Sequence, residues 1–78
     1  MTVCIYSIRD ELVGFGKPFV LPSDDVAVRE FKKAVLSETP NDINTNKADS
    51  VLFKLGTFDD QSGAIIPDHV QLIRANEV

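Results

Sequence analysis

The 78-residue chain has no tryptophan and only one each of tyrosine, histidine, methionine and cysteine. A lone Cys4 closes no intramolecular disulfide and supplies no thiolate zinc site, which points to a reducing compartment. A lone His69, beside Asp68, leaves no second histidine to share a metal and reads as a surface residue. Asp59-Asp60 lacks the alternating oxygen ligands and closing glutamate of a calcium loop, so turn chemistry explains it. Gly14-Phe15-Gly16 lacks the lysine with Ser/Thr and the helix start of a phosphate loop. No stretch approaches the roughly 18 apolar residues of a membrane span, and Met1 to Tyr6 lacks the basic and apolar regions of a secretory leader. The expectation is a cytoplasmic protein that holds no metal and no cofactor. With no nucleophile, acid or base set among partners, it is not expected to be an enzyme.

Basic residues are also in short supply. Eight Lys and Arg against twelve Asp and Glu give a net charge of −4, which opposes long-range attraction to nucleic acid. What is present is ordinary globular material, 44% hydrophobic and 26% charged. The length allows a single domain, 1–78, with a core small enough that association into a homodimer is expected.

Val3 to Ile8 reads as a strand with apolar residues on both faces, Val3 and Ile5 against Cys4, Tyr6 and Ile8. A glycine-containing loop then leads to a short strand, Phe19-Val20-Leu21, stopped by Pro22 and lying near a sheet edge. Ser23 followed by Asp24 and Asp25 caps a helix and meets its positive dipole end. Ala27, Val28, Phe31, Ala34 and Val35 recur at helical spacing as the buried stripe, and the helix ends near Ser37-Glu38 because Thr39 precedes Pro40. Thr39 to Ser50 is a polar loop with room for one short helical turn. In the strand Val51 to Phe58, Val51, Phe53, Leu55 and Thr57 alternate against Leu52, Lys54, Gly56 and Phe58. A turn at Asp59 to Gly63 returns as Ala64-Ile65-Ile66 until Pro67, and the tail adds a last short strand or drapes over the sheet. The class is α+β, two-layer, with one amphipathic helix packed on a small antiparallel sheet in the order β-β-α-β-β.

One feature carries a mechanism. Arg29, Lys32 and Lys33 fall on the helix side opposite the buried stripe, at spacings that align cations with successive phosphates, and Lys54 and Arg74 extend the patch if the fold brings them near. The competing reading is a solvated face, with Asp25 pairing Arg29 and Glu30 pairing Lys33. Among Tyr6, Phe15, Phe19, Phe53 and Phe58, one or two exposed rings would supply a stacking platform for single-stranded bases while the rest are core.

Ile5-Tyr6-Ser7-Ile8-Arg9-Asp10, Pro18-Phe19, Asp25-Val26-Ala27-Val28-Arg29-Glu30-Phe31 and Leu55-Gly56-Thr57-Phe58-Asp59-Asp60-Gln61-Ser62-Gly63 occur in an order and spacing that covers nearly the whole chain. This arrangement resembles the small nonstructural protein of gokushovirus-type microviruses, tailless phages with circular single-stranded DNA genomes. The resemblance implies a viral, non-capsid, DNA-binding protein of the host cytoplasm, acting in genome replication or packaging. The expected partners are single-stranded DNA, with Arg29, Lys32, Lys33 and Lys54 as nucleic-acid-binding residues, a phage replication or packaging protein, or both. The alternative is an interaction module that binds a phage or host protein without touching nucleic acid.

Overall fold

A computed structural model describes residues 1–78. The elements run β1 (Thr2–Asp10), β2 (Gly14–Phe15), β3 (Phe19–Leu21), α1 (Asp24–Leu36), α2 (Asp42–Thr45), β4 (Ser50–Asp59) and β5 (Ile65–Arg74), followed by a 3-10 turn at Ala75–Glu77. The architecture is the expected two-layer α+β, with one main helix on an antiparallel sheet.

Ser23 sets the helix start. Its backbone is extended and its Oγ accepts from the Val26 N–H at 3.3 Å, while Asp24 and Asp25 occupy the first turn. Ala27, Phe31 and Val35 are buried and Val28 packs beside them, so the apolar stripe faces the sheet. The helix stops at Leu36, where Ser37 turns extended. The single helical turn of the polar loop is α2. Asn41 caps it by accepting from the Ile43 and Asn44 N–H groups, and its Nδ2 donates to the Ala34 carbonyl at 3.0 Å, which ties α2 to α1.

The sheet runs β2-β1-β4-β5, and β3 joins the same edge of β1 as β2. The expected single partner strand of β1 is therefore two: Gly14–Phe15 pairs with Arg9–Asp10, and Phe19–Leu21 pairs with Cys4–Tyr6. The second strand of the last hairpin also does not stop at Pro67, but continues to Arg74. Pro67 is tolerated because β5 is an edge strand, where a missing N–H costs no ladder bond on the solvent side.

A bulge corrects the alternation expected in β4. The register slips where Ile5 pairs with Gly56 and Tyr6 with Lys54, so Leu55 is an extra residue. Residues directly opposite share a face. Leu52, Lys54 and Thr57 consequently lie on the helix side with Ile8, Tyr6 and Cys4, and Val51, Phe53, Gly56 and Phe58 lie on the other side with Arg9, Ser7, Ile5 and Val3. The helix side holds the core: Tyr6, Ala27, Phe31, Val35, Leu52 and Ala75, with Cys4, Phe19 and Leu21 packed against it. Burial of Phe31, Val35 and Leu52 stabilises the fold by about 1.5–3 kcal/mol each. Both helices lie on that side, so the other sheet face is covered by its own side chains alone.

Candidate nucleic-acid interface

Arg29, Lys32 and Lys33 are exposed on the outer side of α1, as their spacing dictates. The expected Asp25–Arg29 pair is absent. Glu30 instead lies 3.9 Å from the Arg29 Nε and 3.6 Å from the Lys33 Nζ, and Lys32 has no ion pair. Exposed pairs of this kind are worth about 0–1 kcal/mol, so all three cations are free to exchange partners. Lys54 does not extend this patch. Its side chain is only 18% accessible, and its Nζ lies 3.5 Å from Asp24 at the start of α1. Arg74 is also elsewhere, bonded to Glu11 and to the Ala48 carbonyl.

Asp24 is a junction as well as a first-turn carboxylate. The Tyr6 hydroxyl donates to its Oδ1 at 2.6 Å, so a buried strand residue, a helix start and Lys54 share one carboxylate. Burial pushes the Tyr6 hydroxyl far above the usual tyrosine range, and the bond to Asp24 adds to the shift. This network braces helix against sheet.

The aromatic side chains divide more sharply. Tyr6 is fully buried, Phe19 packs on the core, and Phe53 and Phe58 are half-buried, while Phe15 is 47% exposed. The Phe15 ring meets Phe53 edge-on, with centroids 5.4 Å apart at 79°, and lies 6.0 Å from the His69 ring. The Arg9 guanidinium carbon sits 5.7 Å from the Phe15 centroid. Pairing brings these residues together: Arg9 is opposite Phe15, and Ser7 is opposite Phe53. Ser7, small and fully buried between them, leaves room for the rings to meet across β1, and its Oγ donates to the Gly16 carbonyl at 2.8 Å. Arg9 and His69 are exposed, and Arg9 makes no ion pair.

A cation, two phenyl rings and an imidazole thus form a platform on the uncovered sheet face. Sequence-tolerant contact of a base with the exposed Phe15 ring, beside one positive charge, is the chemistry this arrangement offers. It lies on the opposite side of the sheet from α1, so the helix cations and the sheet aromatics cannot grip the same few nucleotides. The sequence named Phe15 and Phe53 only among five candidate rings, with Tyr6, Phe19 and Phe58, and did not connect Arg9 or His69 with them. A phenylalanine between two glycines, where no core position is available, was the one local signal.

This is the layout of a small two-layer α+β domain in which one face of the sheet carries no helix. The chain belongs to the phage ORF5 protein family, whose model matches residues 3–78. It is therefore a bacteriophage protein. No curated protein and no solved structure matches it. No helix is long and apolar enough to cross a membrane.

Proposed function

We propose that this phage protein is a non-enzymatic single-stranded DNA-binding factor of the infected host cytoplasm, acting in replication or packaging of a microvirus genome. The observation that supports this reading is the exposed Phe15 ring, edge-on to Phe53 and flanked by Arg9 and His69 on an uncovered sheet face. Unstacked bases lie on the Phe15 ring and its neighbours, and Arg9 meets a phosphate. Duplex DNA, whose bases are already stacked, gains little from such a surface. A net charge of −4 keeps nonspecific affinity low, so the rings rather than bulk charge carry the binding.

A second reading has its own support. Leu36 is exposed in a shallow groove on α1 with Asp25, Val28, Arg29, Lys32 and Lys33, a mixed apolar and mainly cationic surface suited to a phage or host protein. Anisotropy titration of labelled oligothymidine, with duplex beside it, separates the two. Salt-sensitive binding that prefers the single strand and is lost in Phe15→Ala supports the sheet-face reading. Loss in the Arg29/Lys32/Lys33 triple alanine variant alone moves the DNA to the helix, and no binding at low salt leaves the protein-interaction reading.

A further inference from the structure

A cleft on the molecule has no part in either reading above. It opens between the Gly14–Lys17 segment and α2, has a volume of about 650 Å³, and includes the half-buried side chains of Ile8, Phe19 and Ile43. The same three side chains also line a smaller apolar pit of about 150 Å³, which Phe31, Ala34 and Leu52 complete between α1 and the sheet. Both walls of the cleft are fixed by hydrogen bonds. The Gly16 N–H donates to the Ile8 carbonyl at 2.9 Å, and the Gly16 carbonyl accepts from the Ser7 hydroxyl at 2.8 Å. Across the cleft, the Asn41 and Asn44 side-chain amides donate to the Ala34 and Thr39 carbonyls and hold α2 in place. The cavity is therefore formed before a ligand arrives, which spares the cost of ordering it.

The charges around it lean one way. Asp10 and Asp42 make no ion pair, and Lys17, also unpaired, is the one cation lining the cleft. Glu30 stands at the pit, held by Arg29 and Lys33. The net charge of −4 on the whole chain adds to this field and draws cations toward it.

We propose that this cleft binds a basic segment of a partner protein, with one phenylalanine ring of that segment seated in the pit and its neighbouring Lys or Arg side chains meeting Asp10 and Asp42. Size selects the anchor: an apolar cavity of about 150 Å³ lined by Leu, Ile and Phe holds a benzene ring. The wider cleft outside leaves room for the segment's backbone on either side of that ring. One aromatic anchor in a desolvated pocket inside a polar rim is how an interface concentrates its affinity in few residues. Charge selects the flanks, since unpaired carboxylates repel phosphates and acidic segments and attract cations. The inference goes beyond the DNA reading and does not rest on it. Of the platform residues only Phe15 borders the cleft.

The test titrates the protein into a labelled peptide of about ten residues, one phenylalanine flanked on both sides by lysines in a Gly-Ser chain, by anisotropy. Replacing the peptide's phenylalanine by serine should weaken binding at least about tenfold, and replacing its lysines by glutamates should abolish it. Methyl resonances of Ile8 and Ile43 should shift as the ring enters. Ala34→Leu, which fills the pit from its wall, should weaken binding at least about tenfold and leave the circular dichroism spectrum and oligothymidine affinity unchanged. Asp42→Lys, at an exposed position of α2, should weaken binding about fivefold or more and keeps the test decisive if the larger side chain at Ala34 disturbs the core. Equal affinity for the phenylalanine and serine peptides, binding that survives both variants, tighter binding of the glutamate peptide, or no binding of any peptide would each overturn the proposal. Oligothymidine binding is measured separately, so the failure of either reading leaves the other standing.

Discussion

Truncating Phe15 to alanine removes the more exposed phenyl ring of the platform, and its cost to binding can be separated from its cost to folding. About half of the ring is already solvent-exposed, so the lost burial is worth about 1 kcal/mol. Losing the edge-on contact with Phe53 at 5.4 Å adds about 0.5–1.5 kcal/mol. Together these lower the melting temperature by roughly 10 °C, at about 4–8 °C per kcal/mol for a domain of this size. Affinity for oligothymidine should fall by much more than the unfolded fraction explains. One stacked base is worth about 1–3 kcal/mol, so the dissociation constant should rise about 5- to 150-fold. Anisotropy titration at a temperature where thermal melting shows both proteins fully folded measures this directly. Phe15→Tyr keeps a π-face and should bind within about twofold of wild type. An unchanged dissociation constant for folded Phe15→Ala would refute stacking on this face, however tightly the protein bound DNA.

Other consequences follow from the same geometry. Alanine at Arg29, Lys32 and Lys33 together should leave affinity for the single strand within about twofold, whereas Arg9→Ala should flatten the salt dependence by about 0.7, one phosphate's worth, in titrations from low to physiological salt. Gly56→Ala should destabilise the fold by more than about 2 kcal/mol in denaturant titration: a Cβ there would lie 2.3 Å from the Ile66 carbonyl oxygen, on backbone with φ of +157°, and only a shift of the β4–β5 pairing makes room. Tyr6 should stay protonated in the folded protein when pH passes the usual tyrosine value of about 10, giving no tyrosinate absorbance until the chain unfolds. Because its folded value is raised, the unfolded chain releases the proton first, so stability is intact below about pH 10 and declines above it. Tyrosinate appearing well before the loss of far-ultraviolet circular dichroism would contradict the buried bond to Asp24.

Local chemistry was enough for α1. Ser23, the two aspartates after it and the spacing of Ala27, Phe31 and Val35 specify start, register and buried face through interactions within a few turns, and the structure follows them. The same holds for the turn at Asp59 to Gly63, where the Asp59 carboxylate accepts from the Gln61 N–H and the Ser62 hydroxyl and Gly63 takes a φ of +78°. Where a side chain points within β4 was not legible past Lys54, because a bulge is a property of two paired strands and Leu55 carries no mark of being the extra residue. Pro67 looked like a stop because its effect depends on whether a partner lies on both sides, which only strand order decides. The site divided in the same way. Helical periodicity sufficed to align Arg29, Lys32 and Lys33, since residues three and four apart are neighbours on any helix. Bringing Arg9, Phe15, Phe53 and His69 together took four strands in register across a sheet, with a serine small enough to let the rings meet, and no spacing along the chain encodes that. Lys54 was assigned by charge alone, and tertiary contact with Asp24 took it out of solvent. Short-range bonding and periodicity are written in the order of residues, whereas adjacency across strands exists only once the chain has closed on itself.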